Sequence, residues 1–381
     1  MENTGKEAAK TRLAYLDNLR CFTIFVVVVS HTEITYSSYG YWPYIEGSLE
    51  KLSDIEAIVF GLYEMFTHTW LLGVLFFISA FFSAKALAKR EPMKYIRERL
   101  FRLGLPLLTY MFIIAPFIYY ILLGENSENT LGRRYLDFLT SFRWLRSAGP
   151  LWFVEILLVF TGIYVLFRKI RPKRRVWLYT ITLKNIVSVI LSIGALTFLI
   201  RLVLPVGSRI LNFSVFDFAP YIVMFIVGVI IGENNRMEPI AEKKNIMGLK
   251  LALILGIPLW GIIMLVGGPL RGNYIQGGFH WESLVFALWE ASVAVGFSMG
   301  IIALFKEYVN ADNTYTRFVS ENSFGIYVFH APVLISVALS LKHWDVNVFV
   351  KFAIVALTAY VATFLFTFLI RKIKMVRIIV K

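Results

Sequence analysis

The chain has 381 residues, 58% of them hydrophobic and 16% aromatic, with only 17% charged. That composition, with a mean hydropathy of +0.67, excludes an ordinary soluble domain and describes a chain that crosses a membrane many times. The net charge of +14 is divided among short loops rather than gathered in one block, which argues against nucleic acid as a partner and for a topology signal.

Apolar runs of about 20 residues, enough to cross a hydrocarbon layer about 30 Å thick, recur ten times, near residues 13–36, 66–88, 103–123, 150–168, 181–204, 215–232, 247–267, 283–305, 321–341 and 348–370. We number these spans 1 to 10. The expected fold is all-α, one integral membrane domain over residues 1–381. With the N-terminus in the cytoplasm, the tails and even-numbered loops hold 28 of the 39 Lys and Arg, including KALAKREPMKYIRERLFR and RKIRPKRR, and the opposite loops hold eight. This is the positive-inside pattern, so both termini are expected to be cytoplasmic, span 1 uncleaved, and the protein multi-pass in the inner or plasma membrane.

Span 1, LAYLDNLRCFTIFVVVVSHTEITY, carries Arg20 and His31 eleven residues apart. Eleven residues are about three helical turns, so the two side chains share a face about 16 Å apart along the axis. Ionisable groups at membrane depth are costly and usually mark a site. Asp17, three residues before Arg20, is placed to offset the guanidinium, within a site or simply as an ion pair at a helix end. Cys21 is the sole cysteine; it rules out intrachain disulfides and a Cys-based metal centre, and no metal is expected. Glu33 is expected to face the outer surface.

Residues 37–65 form an acidic, aromatic outer loop, and His68 then opens span 2 as an interfacial residue. The cytoplasmic YIRERLFRLGLP sets Arg99 and Arg102 three apart, one helical face whose guanidinium forks suit phosphates, though positive-inside bias alone accounts for them equally. A second outer loop, 124–149, holds Trp144 and four arginines. Span 4 opens with GPLWFVEILLVF, which puts Glu155 at a depth like that of His31; it either orients the imidazole or pairs with an outer-loop arginine. Arg201 on span 5 and Lys351 on span 10 are expected to snorkel outward, and Glu290 lies on span 8. Span 9 contains SENSFGIYVFHAPVLI, with His330 near mid-depth and Pro332 close behind, so the histidine serves either a site or the helix break.

The succession LDNLRCFTIFVVVVSH, FFISAFF, YIRERLFRLGLP, GPLWFVEILLVF and SFGIYVFHAPVL resembles the acyltransferase-3 family of integral membrane acyltransferases, in the same order and spread over the spans. Its Arg–ten residues–His element matches Arg20 and His31, and the LWFV segment and tail look most like the branch with the periplasmic glucan succinyltransferases. Ala80 stands where the family commonly has glycine, a change that still allows close packing. The chain ends eleven residues after span 10, which suggests the stand-alone type without an appended outer domain.

The resemblance implies transfer of an acetyl or succinyl group from cytoplasmic acyl-CoA to a hydroxyl of an extracytoplasmic carbohydrate or glycolipid, with membrane lipids as surroundings. In that reading His31 is the general base, by direct transfer or through an acyl-histidine, and Glu155 is its catalytic partner. Arg20, Arg99 and Arg102 hold the donor, and Asp17 and His330 support them. Arg20 is too far along the axis to act at His31 as well. A transporter or flippase using the buried His and Arg as a proton relay is the rival reading, and a non-catalytic partner of a polysaccharide synthase a third.

Overall fold

The computed structural model describes residues 12–126, 128–171 and 181–380, so the tail 1–11 and part of the basic run RKIRPKRR lie outside the described residues. Among the described residues the fold is all-helical, without a strand, and ten helices are long and apolar enough to cross a membrane: Ala14–Ser37, Asp54–Leu87, Pro92–Leu122, Gly149–Ile170, Leu183–Val203, Val215–Asn234, Lys243–Arg271, Trp281–Tyr308, Thr314–Ser340 and Val348–Ile370. They are spans 1 to 10. We call the end bearing the basic loops the inner pole and the opposite end the outer pole.

The starts of spans 2 and 3 differ most from expectation. Span 2 begins at Asp54, inside the expected outer loop, because Ser53 and Glu56 close a capping box: Ser53 Oγ accepts from the Glu56 N–H at 3.4 Å and Glu56 Oε2 accepts from the Ser53 N–H at 2.9 Å. Its 34 residues make it about 51 Å long, well beyond the hydrocarbon layer. Span 3 begins at Pro92, and widened π turns at Leu100–Gly104, Tyr110–Ile114 and Phe117–Leu122 interrupt it. Pro106 and Pro116 stand beside these turns; each lacks the N–H that a regular turn needs and pushes against the preceding carbonyl. Arg102 sits in the first of them.

Small residues set how closely the helices approach. Gly228 and Gly232 of span 6 lie directly on the span 2 backbone, so a Cβ at Gly228 would fall 2.4 Å from the Phe77 carbonyl oxygen and 2.9 Å from Ala80 Cβ. Ala80 and Ala84 face these glycines and are fully buried, a small-residue seam of the kind that lets membrane helices pack. Gly248 of span 7 meets Gly296 of span 8 in the same way. Span 7 breaks at Leu255, before Pro258, and Trp289 Nε1 donates to the Gly256 carbonyl at 2.9 Å. Span 1 is central, packed on spans 2, 8, 9 and 10. It runs parallel to span 9, and the candidate site lies along their common face.

Candidate active site

Spans 1 and 9 meet at both poles. At the inner pole Arg20 Nη2 donates to Ser320 Oγ at 3.2 Å; at the outer pole His31 Nδ1 and His330 Nε2 are 3.1 Å apart. The eleven-residue interval on span 1 thus faces ten residues on span 9. Ser320, Ser323, Tyr327 and His330 follow one another at intervals of three or four, which is one face of a helix.

The histidine pair fixes its own tautomers. His330 Nδ1 lies 2.8 Å from the Tyr327 carbonyl oxygen, which can only accept, so Nδ1 carries the proton. The neutral ring then has an acceptor at Nε2, and the proton between the rings belongs to His31 Nδ1. That leaves the His31 Nε2 lone pair unclaimed by this pair. His330 is fully buried, whereas His31 is half-buried, so His31 is the ring open to a substrate.

A third ring covers them. Trp42 stacks on His31 with centroids 4.2 Å apart and planes at 24°, and lies 6.1 Å from His330 at 15°. The loop that brings it there closes the outer end of span 1. Ser38 turns left-handed at φ 64°, and the Glu46 and Gly47 N–H groups donate to the Thr35 carbonyl at 2.8 and 3.0 Å. Ser38 Oγ donates to the Gly47 carbonyl at 2.9 Å, and Glu46 is ion-paired with Lys351 of span 10. Tyr44 Oη donates to Glu46 Oε2 at 3.1 Å, and burial, with the Glu46 carboxylate beside it, holds that phenol above its usual range. The loop is thus tied to both flanking helices.

The inner pole gathers the three predicted arginines. Arg99 donates to Tyr95 Oη at 2.9 Å and Ser83 Oγ at 2.7 Å, and Arg102 lies within electrostatic range of both Arg99 and Arg20. Arg20 is 3.4 Å from Asp17, which Arg12 also holds, at 2.7 Å. The hydroxyl partners of Arg99 leave its charge uncancelled, so this corner suits an anion.

Several ionisable residues lie elsewhere than expected. Glu155 is half-buried and accepts from Asn212 Nδ2 at 3.1 Å; Arg209 donates to the Asn212 carbonyl at 3.3 Å and stacks on Tyr41 at 4.1 Å. The link from Glu155 to the histidines therefore runs through Asn212, Arg209 and the loop that carries Trp42. The outer-loop Arg143 pairs with Glu125 at 3.0 Å. Arg201 does not snorkel: it is 2% exposed, held by Glu290 at 2.5 Å and Asp217 at 3.1 Å. His68 is more than interfacial, with Nε2 2.8 Å from Asp217 and Nδ1 3.7 Å from Glu64. Lys351 is buried on Glu46, and Glu33 is fully buried rather than facing outward. A paired charge costs less inside the bundle than a lone one, but a sequence does not say which helices adjoin. Trp42 was visible only as one of several outer-loop aromatics.

The family model described as "Acyltransferase domain" matches residues 13–372. The chain belongs to the acyltransferase-3 family. As a multi-pass member it is a membrane acyltransferase, and its Arg20–His31 element lies on the face described above. Among similar proteins are the Escherichia coli proteins named "Glucans biosynthesis protein C", from strain K12 and from O9:H4 strain HS, each 23% identical over 337 residues, covering 84% of this chain and 81% of the relative. No solved structure matches.

Proposed function

We propose that this acyltransferase moves an acetyl or succinyl group from acyl-CoA, entering at the inner pole, to a hydroxyl of a carbohydrate or glycolipid at the outer pole, with both termini in the cytoplasm of the inner or plasma membrane. The observation that carries the reading is the pairing of spans 1 and 9, which sets a half-buried imidazole with a free Nε2 about three turns from an arginine cluster. A nucleotide-bearing thioester needs such a division: phosphates held by guanidiniums, and a long pantetheine arm reaching the base.

In this reading Arg20, Arg99 and Arg102 hold the phosphates, and Asp17 steers Arg20. His31 Nε2 removes the acceptor hydroxyl proton as the oxygen attacks the thioester carbonyl. His330 fixes the tautomer that makes Nε2 the base, a part first assigned to Glu155. Glu155 belongs to the acceptor side, where Tyr41 is exposed at the outer rim and an aromatic face suits a sugar ring. The names of the relatives, "Glucans biosynthesis protein C", support a glucan-like acceptor.

The test uses purified full-length protein with labelled acetyl-CoA or succinyl-CoA and a glucose oligosaccharide. His31→Ala is expected to abolish transfer while still binding the donor, and Arg20→Ala to weaken donor binding. Normal transfer by His31→Ala would remove the base assignment. Proton-driven flux without acyl transfer by the wild type would favour the transporter instead.

A further inference from the structure

The Trp42 side chain is 5% exposed, and its indole N–H has no hydrogen-bond partner. An orphaned buried donor is costly and calls for a reason. The stacking geometry sharpens the point. With the indole plane 24° from that of His31 at 4.2 Å, the N–H runs alongside the imidazole rather than into its face, so it cannot donate to that ring. The loop does not leave the tryptophan adrift, because backbone bonds to Thr35 and the Glu46–Lys351 pair hold it to spans 1 and 10. A donor is therefore fixed and unused beside the only half-exposed ring of the histidine pair.

We infer that Trp42 is a catalytic residue whose indole N–H receives the carbonyl oxygen of the acyl group as negative charge develops there. The inference rests on the acyl-CoA reading above and adds to it the group that binds the oxyanion. The acceptor O–H bond breaks as its proton passes to His31 Nε2, and the oxygen forms a bond to the thioester carbonyl carbon. The carbonyl π electrons move onto oxygen, where the Trp42 N–H meets them. Collapse re-forms the C=O bond and breaks the C–S bond, and the departing thiolate takes the proton from the His31 imidazolium, giving an ester and a free thiol. A donor held in a dry site is worth most at this point, because little water competes with it for the charge.

The decisive experiment replaces the N–H without changing the ring: benzothienylalanine at position 42, which has sulfur in place of the indole nitrogen, alongside Trp42→Phe. Transfer is measured with acetyl-CoA and succinyl-CoA as donors and a glucose oligosaccharide as acceptor. Both replacements are expected to lower kcat by about 10²-fold, as loss of a single oxyanion donor does, with the KM for the donor nearly unchanged. The isostere keeps the stacking, so a merely structural tryptophan would leave kcat intact. Wild-type kcat in the isostere, or a loss confined to KM, overturns the assignment of Trp42 while the acyl-CoA reading stands. If the wild-type protein transfers from neither donor, that reading falls and this assignment falls with it.

Discussion

His31 has one ring nitrogen left for chemistry once Nδ1 is committed to His330, and that commitment depends on the backbone carbonyl that holds the His330 Nδ1 proton. Tyr327 supplies it, and Tyr327 is itself held across the bundle, with its hydroxyl donating to the Pro150 carbonyl at the start of span 4. The GPLW segment thus reaches the base through Tyr327. On the proposed reaction, His330→Phe tests the arrangement with little change of volume. It removes the His330 acceptor for the His31 Nδ1 proton, so the tautomer with a free Nε2 is held less firmly. We expect kcat to fall by about 10²-fold or more, within the range general-base catalysis contributes, with donor binding kept and the melting temperature little changed. Undiminished kcat in a folded variant would show that His330 does not position the base. The buried triad around Arg201 is paired elsewhere in the bundle. Arg201 lies between Glu290 and Asp217, so removing any one of the three strands its partners.

At the scale of the helices, the close approach of spans 2 and 6 is sensitive to substitution. A side chain at Gly228 would meet backbone, the Phe77 carbonyl at 2.4 Å, and backbone cannot rotate away as a side-chain tip can. Gly228→Val is therefore expected to prise span 6 from span 2 and cost at least about 1–3 kcal/mol, the usual range for overpacking. The measurement is the thermal midpoint of the purified protein, with Gly162→Val of span 4 as control, because a Cβ at Gly162 meets nothing within 4 Å. An equal midpoint for both variants would show that the seam is not what holds the two spans together. Much of this level was legible beforehand. Apolar run length located all ten spans, and the eleven-residue interval put Arg20 and His31 on one face. The errors came where local rules compete: a capping box extended span 2 into the expected loop, and the prolines of span 3 widened its turns. The partners of Arg201 and Lys351 and the burial of Glu33 were illegible for a different reason, since they depend on which helices adjoin and no periodicity within one helix encodes that.

The whole molecule is sided. The arginine cluster and the histidine pair are separated by about three turns of one unbroken helix, so on the proposed reaction donor and acceptor approach from opposite faces. On the orientation proposed from the charge asymmetry of the loops, the arginine end faces the cytoplasm. Reconstitution in sealed vesicles makes this testable. In inside-out vesicles, acyl-CoA added outside with a glucose oligosaccharide trapped within should support transfer, and the reverse loading should not. The same preparation should lose donor affinity as salt is raised, because the attraction between guanidinium and phosphate is screened over a Debye length of about 8–10 Å near physiological ionic strength. Transfer from donor supplied on either face would mean that the helix does not divide the two substrates, and the orientation inferred from the basic loops would then have no bearing on the chemistry.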